Sequence, residues 1–172
     1  MKPRWLSLLP AVLLICGAAA ISLVILRIGQ PGQPHIVSGK ALIGGPFTLT
    51  DHTGNRVSEK DFAGKFMLVF FGYTYCPDIC PAELQVMSAA LDQLGGKAEN
   101  VTPLFITVDP ERDGVKQMAS YVSNFHERLV GLTGNAEDIG AAAKAYRVYY
   151  AKVKDDSSSA DYLMDHSSVV YL

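Results

Sequence analysis

The chain has 172 residues and a formal net charge of −2, enough for one domain of ordinary size and without the basic footprint that nucleic acid demands. Hydrophobic residues make up 49% of it, and many are concentrated in one uncharged run, Leu6 to Leu26. That run needs its own explanation.

As a helix rising about 1.5 Å per residue the run is roughly 31 Å long, matching the ~30 Å hydrocarbon layer of a bilayer. Lys2 and Arg4 precede it and Arg27 follows. The positive-inside bias keeps the short N-terminus in the cytoplasm and exports the rest. A cleaved signal peptide is the competing reading, because Ala18, Ala19 and Ala20 resemble a small-residue cleavage site. The apolar run continues through Leu26, however, which is long for a signal core and favours an uncleaved anchor over residues 1–27. Cys16 lies inside the run after Leu14-Ile15, not after the small residue a lipoprotein signal requires, and reads as apolar filler. Residues 28–40, rich in Gly, Pro and Gln, read as a flexible linker, so the globular domain is expected over 41–172.

Pro46 to Ser58 alternates around Thr53-Gly54-Asn55 and predicts a β-hairpin. His52 beside that turn, and His35 in the linker, are expected to be solvated. Lys65 to Tyr73 is almost continuously apolar, as a strand covered on both faces must be. Leu84, Met87, Leu91 and Leu94 recur at helical spacing on a helix that stops near Gly95-Gly96. Leu104 to Asp109 reads as a second buried strand. Val115, Met118, Val122, Phe125 and Leu129 mark another helix, with His126 off its stripe and at the surface. An Ala-rich helix over Glu137 to Tyr146, a strand over Val148 to Val153, a polar loop and a last strand in Ser168 to Leu172 complete the chain. Strands alternating with helices predict an α/β layer around a central sheet.

The chemistry is concentrated in "YTYCPDICPAEL", Tyr73 to Leu84, where Cys76 and Cys80 stand at a strand-to-helix junction. In open α/β sheets ligands collect beyond the carboxyl ends of strands. Pro81 suits the first helical position, which makes Cys80 the N-cap, puts Glu83 at the third helical position and sets the Cys80 thiol at the positive end of the helix dipole. That environment favours the thiolate, the form that attacks disulfides and binds metals. Two inert core cysteines would have apolar flanks in mid-element, not Pro-Asp and a helix start. A structural disulfide suits an exported domain, but so short a loop restrains little of the unfolded chain. A metal clamp and a redox pair both remain open on spacing alone. His166, in "DYLMDHSSVVYL", stands at the mouth of the final predicted strand, and by itself is no more than a candidate ligand.

Taken together, "YTYCPDICPAEL", "TVDPERD" (Thr107 to Asp113) and "DYLMDHSSVVYL" resemble the Sco/SenC family, membrane-anchored copper proteins of thioredoxin-like fold that assist cytochrome c oxidase assembly. The resemblance runs from about Ile43 to Leu172. It implies a central mixed sheet flanked by helices, copper held by Cys76, Cys80 and His166, and for Asp78 either support of those ligands from behind or contact with a partner. Asp109 is assigned no ligand role, since Pro110 and the charges around it also read as a solvated strand-to-helix turn. The implied partner is the oxidase subunit with the dinuclear copper site, with other copper chaperones or thiol reductants as further partners. The implied location is a bacterial inner membrane, with the globular domain on the periplasmic side. Members of the family continue past the last strand into a further turn, strand and helix, so a chain that stops at Leu172 is expected to be truncated, with one sheet face uncovered.

The donor types agree with copper. Two thiolates select a soft ion such as Cu(I), and an added imidazole extends the site to Cu(II). Zinc is disfavoured, because a closed structural zinc site has four protein ligands and three are evident. A metallochaperone rather than an enzyme is the favoured reading. The alternative is a thiol:disulfide reductase using Cys76 and Cys80. A peroxidase of related fold has no identifiable peroxide pocket behind it.

Overall fold

The computed structural model describes residues 43–154 and 161–172. The predicted anchor, the linker, Cys16 and His35 lie outside the described residues, and within them no helix is long and apolar enough to cross a membrane. The hairpin forms as the turn chemistry requires, with β1 (Thr48–Asp51) antiparallel to β2 (Arg56–Ser58). The Asp51 carboxylate accepts the Thr53 and Asn55 amides at 2.8 and 2.9 Å, and Gly54 supplies the positive φ of 94°.

There follow β3 (Phe66–Gly72), α1 (Ile79–Leu94), β4 (Val101–Thr107), α2 (Val115–Val122), β5 (Val130–Thr133) and α3 (Ala136–Tyr146). After these come β6 (Tyr150–Val153), β7 (Leu163–His166) and β8 (Val170–Tyr171). Six strands form one sheet in the order β2-β1-β5-β4-β3-β8. β3, β4 and β5 run parallel at its centre, and β1 and β8 join antiparallel. This is the expected mixed sheet. Its middle is a hydrophobic layer in which Phe70, Phe71, Leu104, Phe105 and Ile106 are fully buried, which is why β3 reads as an almost continuous apolar run. β4 starts three residues before the predicted Leu104 and ends two before Asp109.

β5 departs from the sequence reading, in which residues 130–133 carried no strand. It is short and contains Gly131, whose hypothetical Cβ would lie 2.8 Å from Val122 Cγ1 and 3.1 Å from Met118 Cε. Helix α2 packs directly on this strand, and the glycine that permits the approach also removes the apolar signal. α2 itself ends at Val122, not near Leu129. Ser123 Oγ and Asn124 Nδ2 donate to the Ser120 carbonyl at 2.8 and 2.9 Å, competing with helix continuation. Phe125 and Leu129 still pack on the core from the turn that follows.

Two histidines are less solvated than expected. His52 Nδ1 accepts the Gly131 amide at 3.1 Å. His126 Nδ1 accepts the Arg128 amide at 3.1 Å while Nε2 faces Asp92 at 3.6 Å, so both rings serve as local ties between segments. The strand predicted over Val148 to Val153 exists as β6, but it stands outside the main sheet. It pairs with the unpredicted β7 as a separate two-stranded ribbon.

Candidate metal centre

β3 ends at Gly72, and α1 begins at Ile79 after six intervening residues. The N-cap is Asp78, not Cys80, and its side chain makes no capping hydrogen bond. Ile79, Cys80 and Pro81 are therefore the first three helical residues, and Glu83 is the fifth. Pro81 still costs nothing there, because every amide of the first turn lacks an intrahelical partner. One of those free amides, that of Cys80, points at Cys76 Sγ at 3.4 Å. The helix start thus stabilises the sulfur outside the helix, correcting the assignment of Cys80 as the favoured thiolate.

Protonation follows from this geometry. A hydrogen bond from the Cys80 side chain, backed by the His166 ring and the Cys80 and Asp78 backbone, brings the Cys76 thiol down to about 3 from an ordinary 9.0, against the opposing effect of burial. Cys80 is driven far in the other direction, first because its proton is held by the Cys76 sulfur and second because it is buried. Together the pair holds one proton: Cys76 is the thiolate and Cys80 the thiol. Both cysteines are free. Cys80 has no exposed surface, and its sulfur fits over Gly72, where a Cβ would approach Sγ to 2.8 Å and Phe105 Cε2 to 2.9 Å.

His166 closes β7, opposite Tyr150 of β6. Its Nδ1 lies 3.1 Å from the Ser167 carbonyl oxygen, which can only accept, so Nδ1 carries hydrogen and Nε2 is turned to the sulfurs. Nε2 is 3.4 Å from Cys80 Sγ. With the hydrogen on Nδ1, the Nε2 lone pair faces this side of the site. Fixing one ring nitrogen on a carbonyl is how metal-binding histidines are commonly oriented. The ring also stands edge-on to Tyr73, at 5.8 Å between centroids. The Tyr73 hydroxyl reaches the Cys76 side chain and the Met164 backbone, and burial above all pushes its pKa up to about 12.

The structure therefore brings together all three residues singled out in the sequence. Cys76 and His166 border a shallow depression of about 270 Å³, lined also by Pro77, Asp78 and Asp165, while Cys80 is fully buried and takes no part in its lining. A sulfur and a nitrogen bound at about 2.3 and 2.0 Å around a tetrahedral ion lie roughly 3.5 Å apart, close to the 3.4 Å seen between Cys80 and His166. Among the described residues, though, no three His, Cys, Asp or Glu side chains are drawn in closely enough to grip an ion as they stand. The donors are joined by hydrogen bonds, and binding would require them to draw together.

The acidic stretch Asp109–Asp113 is not the solvated turn that its charges suggested. Asp109 and Asp113 are buried. Asp113 accepts the Thr74 amide at 2.9 Å, the Thr74 hydroxyl at 2.6 Å and the Thr107 hydroxyl at 2.7 Å. Three donors and no competing acceptor mark it as a carboxylate, although burial raises its pKa. Asp109 accepts from Arg112 Nε and from the Tyr162 hydroxyl. Sequence reasoning missed these roles, because a buried carboxylate and a surface one look alike until the partners' positions are known.

Residues 37–172 match the SCO1/SenC family model. Among curated relatives, Protein SCO1 homolog 1, mitochondrial, from Arabidopsis thaliana is 52% identical over 136 residues, which cover 78% of this chain and 40% of that protein. Protein SCO1 homolog, mitochondrial, from Homo sapiens is 47% identical over 148 residues, covering 85% and 48%. The chain thus spans about half the length of the curated relatives it matches. Among solved structures, Arabidopsis thaliana ScoI with copper bound aligns with a TM-score of 0.71 at 51% identity, over 75% of this chain and 80% of that one. Bradyrhizobium japonicum ScoI with copper bound aligns with a TM-score of 0.71 at 46% identity, over 75% and 81%. The chain belongs to the SCO1/SenC family.

Proposed function

We propose that this protein is a copper metallochaperone that binds one copper ion through Cys76, Cys80 and His166 and helps load the dinuclear copper site of a cytochrome c oxidase subunit. The observation that carries the reading is the convergence of two sulfurs and an oriented imidazole nitrogen on one side of the β3–α1 junction. The donor set suits copper: paired sulfurs for Cu(I), with the imidazole extending the range to Cu(II). Solved relatives with copper bound add support at 51% and 46% identity. The shallow depression leaves the ion open to a partner, which suits delivery better than storage. In this reading residues 1–27 anchor the chain in a bacterial inner membrane, 28–40 tether it, and 41–172 form the copper-binding domain on the periplasmic side.

The Cys76 thiolate favours a second activity, reduction of a partner disulfide. The Cys76 sulfur attacks one partner sulfur, the partner's S–S bond breaks, and a mixed disulfide forms with one partner thiolate released. Cys80 then gives up its proton and attacks Cys76, so the second partner thiolate leaves and the Cys76–Cys80 pair is oxidised by two electrons. The copper reading is tested by metal analysis: the reduced protein, supplied with Cu(I) and desalted, should retain about one copper per chain. Cys76→Ala and Cys80→Ala should each lose most of it, and full retention by either variant would remove this site from consideration.

A further inference from the structure

The site is assembled from two arms that belong to different sheets. The cysteine arm is the Tyr73–Cys80 loop at the end of β3, in the main sheet, and the histidine arm is the β6–β7 ribbon. Two neighbouring residues of the β4–α2 loop reach the arms, Asp113 by hydrogen bonds to the cysteine arm, and Arg112 by a hydrogen bond to the histidine arm with only ring-face contacts to Tyr73 and Tyr75 of the other. Asp113 holds Thr74, two residues before Cys76, through both the backbone amide and the hydroxyl. The Thr74 hydroxyl in turn accepts Gln117 Nε2 at 2.9 Å, tying the loop to α2. On the other side, Arg112 Nη1 donates to the Tyr162 carbonyl at 3.0 Å, one residue before β7 begins. The Arg112 guanidinium carbon lies 3.8 Å from the centroid of the Tyr162 ring and 4.8 Å from that of Tyr75. Nη2 is buried with no hydrogen-bond partner among the described residues, so those ring faces take the place of an acceptor. Nε is held by Asp109, which also accepts the Tyr162 hydroxyl at 2.8 Å.

We propose that Arg112 and Asp113 are paired positioning residues, Asp113 setting the cysteine arm through Thr74 and Arg112 setting the histidine arm through Tyr162, so that one loop determines how the three donors meet. The inference rests on the reading of Cys76, Cys80 and His166 as one site. Neither residue touches the donors themselves. The donors must draw together to hold an ion, and the ribbon can close only as far as its attachment at Tyr162 allows.

Both arms can be observed without metal. In the reduced, copper-free full chain, amide hydrogen exchange at Cys80 reports the contact with Cys76, and the ring proton–carbon NMR signal of His166 reports the other arm. Asp113→Ala should speed exchange at Cys80 about tenfold, the effect of losing one to two net hydrogen bonds. Asp113→Asn, which keeps the shape and much of the hydrogen bonding, should restore it to within about twofold. Arg112→Gln should shift the His166 ring signal and change Cys80 exchange by less than about twofold, because its hold on the cysteine arm is limited to the Tyr73 and Tyr75 ring faces. Asn135→Ala is the control for general loosening, because the Asn135 side chain caps α3 by accepting the Asp138 amide at 2.7 Å and belongs to neither arm nor the β4–α2 loop. Should Asp113→Ala or Arg112→Gln fail to fold, Thr74→Val removes the hydroxyl contact of the first attachment and Tyr162→Leu the ring contact of the second, with an expected effect of about fivefold on Cys80 exchange for the former and a His166 ring shift for the latter. Equal disturbance of both arms by either substitution, or effects no larger than those of Asn135→Ala, would overturn the proposal. A wild-type protein that took up no copper would sink the copper reading, while the exchange and ring measurements would still decide the clamp.

Discussion

The two arms of the site differ in how firmly the fold holds them. β3 has a hydrogen-bonded neighbour on each side, β4 and β8, and its end packs against buried aromatic rings. The ribbon has two short strands, and the outer half of β6, Lys152 and Val153, is exposed. Two-stranded ribbons are marginal by themselves, so this one depends on tethers such as Tyr162 and Tyr73. The sulfurs are therefore set by the core and the imidazole by a few side-chain contacts. Under the proposed copper-transfer function this division would let a fixed pair of soft donors hold the ion while a third approaches or withdraws.

The sharpest way to break this comparison is Gly72→Ala. The new methyl would press on Cys80 Sγ and on Phe105, and overpacking of this kind costs about 1–3 kcal/mol. Denaturant unfolding should show that loss, and a Cu(I) competition assay should show weaker binding. An unchanged protein would mean that the cysteine arm is soft. The next largest effect is expected on the other arm. His166→Ala should weaken Cu(II) binding sharply while Cu(I), satisfied by two thiolates, suffers less, and reduction of a partner disulfide should persist. Titrating the variant with each oxidation state alongside a disulfide-exchange assay checks this. Loss of exchange together with copper would instead make the imidazole a regulator of thiol reactivity.

A pH profile sharpens the contrast within the cysteine arm. Cys76, near 3, lies well below its ordinary 9.0. Its contribution to stability is present above the ordinary thiol value and is lost as pH falls toward 3. Cys80 is raised, so its contribution is complete below the ordinary value and is lost on the alkaline side. Between about pH 5 and about pH 8, alkylation of Cys76 should be nearly independent of pH, and Cys80 should stay unmodified. Mass spectrometry of partially alkylated protein distinguishes the two, and a Cys76 rate that climbed tenfold per pH unit would refute the thiolate. The smallest effect belongs to the ribbon's exposed edge. Lys152 pairs with Glu111 at 2.6 Å, a surface ion pair whose removal in Lys152→Ala should cost less than ~1 kcal/mol. A larger loss in thermal unfolding would show the ribbon to be anchored more through Lys152 than through Tyr162.

Much of this was legible from local pattern. The apolar runs of β3 and β4, the stripe of α1, the Asp51–Asn55 turn and the Ala-rich α3 all express preferences that act within a few residues. Cys76 and Cys80 stood out because cysteine beside proline at a strand-to-helix junction is chemically unusual, whereas His166 was singled out by the family resemblance, and the structure brings the three together. Several features were not. β5 was hidden because Gly131 answers to α2 packed against it, and β7 because its partner β6 lies across a loop. The end of α2 was set by Ser123 and Asn124 bonding back to Ser120, a competition that the apolar stripe does not register.

By itself the sequence determined which atoms could do chemistry, since donor softness, charge and helix or strand period are properties of residue types and their spacing. Only the tertiary structure decided which cysteine is the thiolate, because that depends on where a free amide of α1 points and on which sulfur keeps the shared proton. It also turned the Asp109–Asp113 charges from a candidate surface turn into a buried junction between the two arms. The physical reason is the same in both cases: the energy of an ionised group depends on the donors, charges and solvent within a few ångströms, and here those neighbours come from residues far away in the chain.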